Sequence, residues 1–350
     1  MKDNLRNIPD IARKKAELIH HGEIFVPDNI KLPYSLSSST AGPGAGKKAL
    51  ALSFGETRIK LTVTKDSNSK FSLIKINSSY QIMKDKKIFI DEVKIIPTLL
   101  HAPNQAFVNL WDDCIYDCKF CATPKLEDMQ KKSKNLDQVV GMILEASKNK
   151  DFHSVAITSG ISGSPEKTLD DIVYVVKQVK KNLQNTKIGV EPYITIREDI
   201  DRLYNAGTTE IKINIETFDK DIFNKICPDL DYEGILKMLE HAQKIFGKGK
   251  VTTNILIGLG ETDENVLTGI EYFAKQGIVP VIRALRINDY NYSRMVEALG
   301  HDIKKVSPER MIDLALKQKE ILDRYGLSIK TFETMCHKCG CCDIVPFIDV

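Results

Sequence analysis

QAFVNLWDDCIYDCKFCATP, residues 105–124, runs from an apolar, strand-like segment straight into three closely spaced cysteines. The spacing is C-x3-C-x2-C, with Cys114, Cys118 and Cys121 on one short loop. Three thiolates set this way can each bind a different iron of a [4Fe–4S] cubane and leave the fourth iron open. A structural zinc site would take four N or S ligands, commonly from paired C-x2-4-C knuckles. No fourth ligand stands beside this loop.

Downstream, β-branched runs alternate with longer amphipathic stretches. Strands are expected at 105–111, 153–159, 187–193, 210–216, 251–259 and 279–285, with helices near 137–149, 168–183, 196–206, 219–245, 263–276 and 308–325. That alternation predicts parallel βαβ units. Six of them make an α/β fold of partial (β/α)6 TIM type, whose function sits at the carboxyl ends of the strands. The cysteine loop falls at such an end, so the barrel is assigned to 101–326. Residues 1–100 read as a helix near 8–20 followed by a small β-rich appendage (ALALSF, TRIKLTVT, FSLIKI, IFIDEVKII). Between them, AGPGAGKK (41–48) lacks the G-x4-G-K-[ST] spacing of a phosphate loop and reads as a turn. Residues 327–350 form a cysteine-rich tail, expected to fold towards the barrel mouth.

The 350 residues carry 50 basic and 47 acidic side chains, a formal net charge of +3. That balance argues against nucleic acid or a membrane surface as a partner. No apolar run approaches the roughly 18–20 residues that span a bilayer, and the charged amphipathic N-terminus lacks the apolar core of a signal peptide. A cytoplasmic setting is expected. There, eight cysteines in two tight clusters plus Cys227 point to metal or redox chemistry before disulfides.

The cysteine loop resembles the signature of the radical S-adenosylmethionine (SAM) superfamily. In that family SAM chelates the open iron, and one electron from the cluster releases a 5′-deoxyadenosyl radical that abstracts hydrogen from an unactivated carbon. Three further segments are similar to lipoyl and biotin synthases. In VAITSGISGS, Ser159 and Gly160 match positions that receive SAM's amino group, although the family's usual Glu is absent. In EIKINIETF, Asn214 and Glu216 match the ribose-binding pair. In TNILIGLGETDENV, Gly258 and Gly260 match backbone positions near the adenine, with Ile257 packing on the ring; Phe120 matches the aromatic beside the adenine. The sequence departs where NKICPDLDY puts Cys227 in place of an arginine associated with SAM's carboxylate. Lys212, Arg283 and Arg286 are the candidate substitutes, and Cys227 itself reads as a small apolar filler.

TMCHKCGCCDIVPFIDV places Cys336, Cys339, Cys341 and Cys342 within seven residues. The spacing is too tight for ordinary disulfide geometry. Two readings stand: a zinc clasp with His337 close by, or an auxiliary Fe–S cluster. Biotin and lipoyl synthases each use a second cluster as sulfur donor, and cysteines in the tail resemble the two-protein lipoyl synthases of archaea and some bacteria. The resemblance implies sulfur insertion into an octanoylated lipoyl-carrier protein, a second radical SAM protein as partner, and a ferredoxin or flavodoxin as electron donor. The alternatives are a radical rearrangement or methylation in cofactor biosynthesis, and an electron-transfer scaffold without SAM turnover. Ser37, Ser38 and Ser39 offer a hydroxyl ligand but read more simply as a polar loop. No general base stands out, and radical abstraction needs none.

Overall fold

The computed structural model describes residues 8–38, 46–77, 79–123 and 135–350. Ser39 and residues 41–45 of the Gly-rich stretch lie outside them. The described chain opens with α1 (Asp10–His21), which ends at Gly22 in the left-handed conformation. A seven-stranded sheet follows: β1 (Glu23–Phe25), β2 (Ser37–Ser38), β3 (Lys48–Phe54), β4 (Thr57–Thr64), β5 (Phe71–Ile76), β6 (Ser79–Lys84) and β7 (Lys87–Ile95). Its order is β2-β3-β4-β1-β5-β6-β7, and an added β3–β7 pairing curls the sheet onto itself. Alternate residues such as Leu50, Leu52, Ile59, Leu61, Phe71 and Leu73 fill its core. Leu18 of α1 joins that core while Ala12 and Ala16, on the same helix, join the next one. One helix thus belongs to both layers.

The second unit is a parallel barrel wall: β8 (Gln105–Asn109), α2 (Leu136–Ser147), β9 (Ser154–Thr158), α3 (Pro165–Asn182), β10 (Lys187–Glu191), α4 (Arg197–Ala206), β11 (Glu210–Lys212), α5 (Lys220–Ile226), α6 (Tyr232–Phe246), β12 (Val251–Ile257), α7 (Asp263–Lys275) and β13 (Val279–Ala284). Then come α8 (Tyr292–Leu299), α9 (Pro308–Arg324) and the one-turn α10 (Met335–Cys339). The strands run in order β13-β12-β11-β10-β9-β8, all parallel. Among the described residues no ladder joins β8 to β13, so the barrel is partial.

Helix starts follow side-chain capping. Asn135 and Gln138 form a capping box, and Ser164 and Ser307 each accept from the N3 amide with proline at N1. All six expected strands are present. The helix expected over 219–245 is two helices, broken at Cys227–Asp231. Pro228 disfavours the α region for the residue before it, and Cys227 sits at φ −128°, ψ 59°.

The tail does not reach the barrel mouth; it closes the opposite end. Gln105, at the start of β8, donates to the Met335 carbonyl at 3.1 Å. Glu210, at the start of β11, accepts from the Thr334 amide and hydroxyl. His337 contacts Thr252 of β12 and the Val279 carbonyl of β13, each at 3.1 Å. Gly189 of β10 has no room for a side chain, since a Cβ there would lie 2.1 Å from Thr334 Oγ1. Beyond α10 the tail runs between barrel and appendage. The Lys60 amide of β4 donates to the Cys341 carbonyl at 3.0 Å. Lys15 of α1, fully buried, meets Asp349 at 2.5 Å and the Gly340 carbonyl at 2.8 Å. Asp349 also accepts from Thr57 Oγ1 at 2.9 Å. The expected location was wrong because these anchors come from segments hundreds of residues away.

Candidate functional site

The loop bearing Cys114, Cys118 and Cys121 is clamped from two sides. Its entry continues the parallel pairing with β9: the Leu110 amide donates to Thr158, Gly160 to Trp111 and Ile115 to Ile161, at 2.9–3.0 Å. Its exit rests on the break between α5 and α6 and on the start of α8. The Lys119 amide donates to the Ile226 carbonyl at 2.7 Å. Asn291 donates to the Phe120 carbonyl at 2.9 Å, and Arg294 donates to the Cys121 carbonyl at 3.1 Å and pairs with Asp117. All three cysteines are free and half-buried. Burial raises the Cys114 thiol and pushes Cys121 up to about 11. Binding iron as thiolates would therefore release protons. Cys227, 1% exposed, lies with its thiol in hydrogen-bond reach of Cys118, so the filler of the sequence reading is a neighbour of the loop.

Inside the barrel, β10, β11 and β12 turn a polar row inward. Asn214 Nδ2 donates to Glu191 Oε1 at 2.7 Å. Lys212, with a fully buried side chain, donates to the same oxygen at 3.1 Å. Glu216 sits at φ +60°, unusual for a non-glycine residue, where an isolated bridge to Ile255 replaces the regular ladder. Burial pushes its carboxyl up to about 7, with Glu191 opposing ionisation while Lys212, Arg283 and Asn254 favour it. Three buried acceptor atoms here have no partner: Asn214 Oδ1, Glu216 Oε2 and Asn254 Oδ1. Buried acceptors are normally satisfied, so this group calls for a donor-bearing ligand. The vicinal hydroxyls of a ribose fit that need.

The remaining sequence candidates have specific placements. Phe120 is buried at the loop's end. The Ser159 hydroxyl donates to the Gly160 carbonyl at 2.6 Å. Gly160 is required by the cysteine loop itself, since a Cβ would lie 2.0 Å from the Asp113 carbonyl oxygen. Gly258 and Gly260 have φ near +100°, and their Cβ space is taken by Val306 and His301 of this chain. Alternation along β12 puts Ile257 on the face opposite Asn254, already 1% exposed. Glu261 of the same turn clamps it, accepting from the Gly258 and Leu259 amides and from Arg310. Of the proposed cations, Arg283 is held by a two-point pair with Asp343 at 2.8 and 3.0 Å.

The tail cysteines divide. Cys336 Sγ points at Lys212 Nζ, 3.3 Å away. Cys339, Cys341 and Cys342 lie together, with Lys60 and Arg286 within electrostatic reach. Lys60 donates to the His101 carbonyl at 2.8 Å, and burial holds His101 down at about 3. Among the described residues no group of three or more His, Cys, Asp or Glu is gathered tightly enough for a single metal ion. A cubane asks less, because each cysteine binds a different iron.

The loop's three free thiols fit a cluster with an open iron, and the orphaned acceptors fit SAM's ribose. When bound, the pair supplies a carbon-centred radical able to break an unactivated C–H bond. A model of the radical SAM superfamily matches residues 108–273, from β8 into α7. That stretch is a radical SAM domain. It is 30% identical over 156 residues to the biotin synthase of Clostridium tetani, covering 43% of this chain and 45% of that protein. It is 33% identical over 125 residues to the lipoyl synthase of Ectopseudomonas mendocina, covering 34% and 33%. The chain therefore spans less than half the length of these curated relatives. Among solved structures, a methylornithine synthase (PylB) has a TM-score of 0.52 at 17% identity over 63% of each chain, a likeness of fold. No helix among the described residues is long and apolar enough to cross a membrane.

Proposed function

We propose that this radical SAM enzyme inserts sulfur into an octanoyl chain on a lipoyl-carrier protein, with the tail cysteines holding an auxiliary cluster as sulfur source. One observation carries the reading: Cys336 enters the same barrel interior as Asn214 and Glu216, from the other end. A sulfur source across the chamber from the SAM site is what trapping a carbon radical requires. The partial matches to biotin and lipoyl synthases support it. Asn214 and Glu216 would orient SAM, the tail would seal the barrel against water, and Lys60, Arg283 and Lys212 would balance the charge of the tail site. A ferredoxin or flavodoxin would supply electrons, and a second radical SAM protein is the proposed partner.

The test is mass spectrometry of an octanoyl-lysine peptide after anaerobic reaction with SAM, alone and with candidate partners. A thiolated product that disappears when Cys336, Cys339, Cys341 and Cys342 are replaced by Ser supports the reading. Sulfur insertion by that variant would remove the tail as donor. A second reading has its own observation: Lys212, Glu191, Arg283 and Asp343 line the interior with charge, which suits a polar substrate more than an alkyl chain. Vigorous SAM cleavage with no thiolated octanoyl product would favour rearrangement or methylation in cofactor biosynthesis.

A further inference from the structure

Lys212 touches both halves of the barrel interior. Its ammonium is fully buried, a state that costs several kcal/mol unless anionic partners surround it. It pairs with the Glu191 carboxylate, Oε1 at 3.1 Å, and donates a second hydrogen bond to Cys336 Sγ at 3.3 Å. Arg283, Glu216 and Asp343 are further charged groups near it. The Glu191 oxygen is shared, since it also accepts from Asn214 Nδ2 at 2.7 Å. That bond fixes the Asn214 amide with its nitrogen down and its unpartnered Oδ1 left for a ligand. The series Cys336–Lys212–Glu191–Asn214 is therefore continuous, from the docked tail to the edge of the SAM site.

We infer that Lys212 is a positioning residue that couples SAM binding to docking of the tail. Withdrawing Cys336 removes one of the two hydrogen-bond acceptors of Lys212 and draws the ammonium towards Glu191, which loosens the hold of Glu191 on Asn214. SAM affinity then depends on a tail residue that never touches SAM, and the dependence is reciprocal. The consequence is chemical order: SAM is held well only when the tail seals the chamber. The inference rests on the SAM-site reading and not on sulfur insertion.

The experiment is calorimetric titration of anaerobically reconstituted full-length protein with SAM, without any other substrate. Lys212→Met, with unchanged iron content, is expected to weaken SAM binding by about 5–100-fold, the usual range of coupling between sites. Lys212→Arg keeps the charge and is expected to restore most of the affinity. Cys336→Ser should weaken binding less than Lys212→Met does. The double variant Cys336→Ser/Asn214→Ala should bind no more weakly than Asn214→Ala alone, because the relay ends at Asn214. Wild-type affinity in Lys212→Met, or additive losses in the double variant, would overturn the coupling. A failure of Lys212→Arg to rescue would reduce Lys212 to a packing role. If wild-type protein bound no SAM, the SAM-site reading itself would fall, and with it this inference. Lack of a thiolated product would leave it standing.

Discussion

Cys114, Cys118 and Cys121 lie half-buried on a loop at the carboxyl end of β8, while Cys336, Cys339, Cys341 and Cys342 sit at the amino end and flank of the same barrel. Around the loop the nearby charges include Asp113 and Asp117, the latter held by Arg294. Around the tail they are mostly cations: Lys60, Lys212, Arg283 and Arg286. The loop is held by hydrogen bonds to its backbone and by the Arg294–Asp117 pair, and none of its thiols is in a disulfide. The tail is held by buried ion pairs that knit three segments of the chain together. The two cysteine groups thus sit in different electrostatic settings, and a cluster in the tail, as proposed, would be the more easily reduced of the two.

Replacing Cys114, Cys118 and Cys121 with Ala should have the largest effect. SAM cleavage, followed as 5′-deoxyadenosine under reduction, should fall to background while tail-bound iron persists. Residual cleavage would transfer the SAM role to the tail and erase the contrast.

Asp349→Ala leaves Lys15 buried without its carboxylate. A cost of about 3–5 kcal/mol is expected from breaking a buried pair, read from denaturant unfolding, with the tail lost before the barrel. A change below about 1 kcal/mol would mean the tail is fastened elsewhere.

Glu216 separates the SAM end by pH. Burial in the folded state pushes its carboxyl up to about 7, above the ordinary glutamate value of 4.5. The folded state thus holds the proton more tightly, and the group's contribution is full below about pH 4.5 and lost as pH rises through about 7. Glu216→Gln should remove that slope from the stability of the cofactor-free protein. It should also weaken SAM binding by about 1–3 kcal/mol, as for a lost charged hydrogen bond, with Asn214→Ala weakening it similarly in calorimetry. An unchanged slope and affinity would move the ribose site elsewhere.

The smallest expected effect concerns the cations. Lys60→Met should lower the reduction potential of a tail cluster by tens of millivolts and leave that of the loop cluster in place, since net charge is one of the levers on such potentials. Potentiometric titration followed by electron paramagnetic resonance reads both. An equal shift at both sites would undo the electrostatic contrast.

The six barrel strands were legible because each is a short apolar run bounded by turns, and the loop cysteines because their spacing is local. Their ends were less so: β11 stops at Lys212, and beyond it the Ile215 amide donates to the Thr253 hydroxyl and not to a ladder carbonyl. The break at Pro228 was in plain view as a proline within an expected helix. Asn214 and Glu216 were found through the resemblance, but Glu191 and Asn254 were not, since a lone polar residue on an apolar strand carries no local signal. Asn291 and Arg294 hold the cysteine loop from more than 170 positions away, and α8 is too short to announce itself. The tail's place depended on Lys15, Lys60, Lys212 and Arg283 converging from four segments, which no spacing rule contains.

Mössbauer spectroscopy of anaerobically reconstituted, iron-57-enriched protein distinguishes the proposed two separate iron–sulfur sites in one barrel from a single site. Wild-type protein is expected to show two spectral components with roughly eight irons, as for two four-iron cubanes. The loop variant should lose one component and the tail variant, with its four cysteines changed to Ser, the other. A single component of about four irons that persists unchanged in the tail variant, or stoichiometric zinc in the tail, would contradict the account.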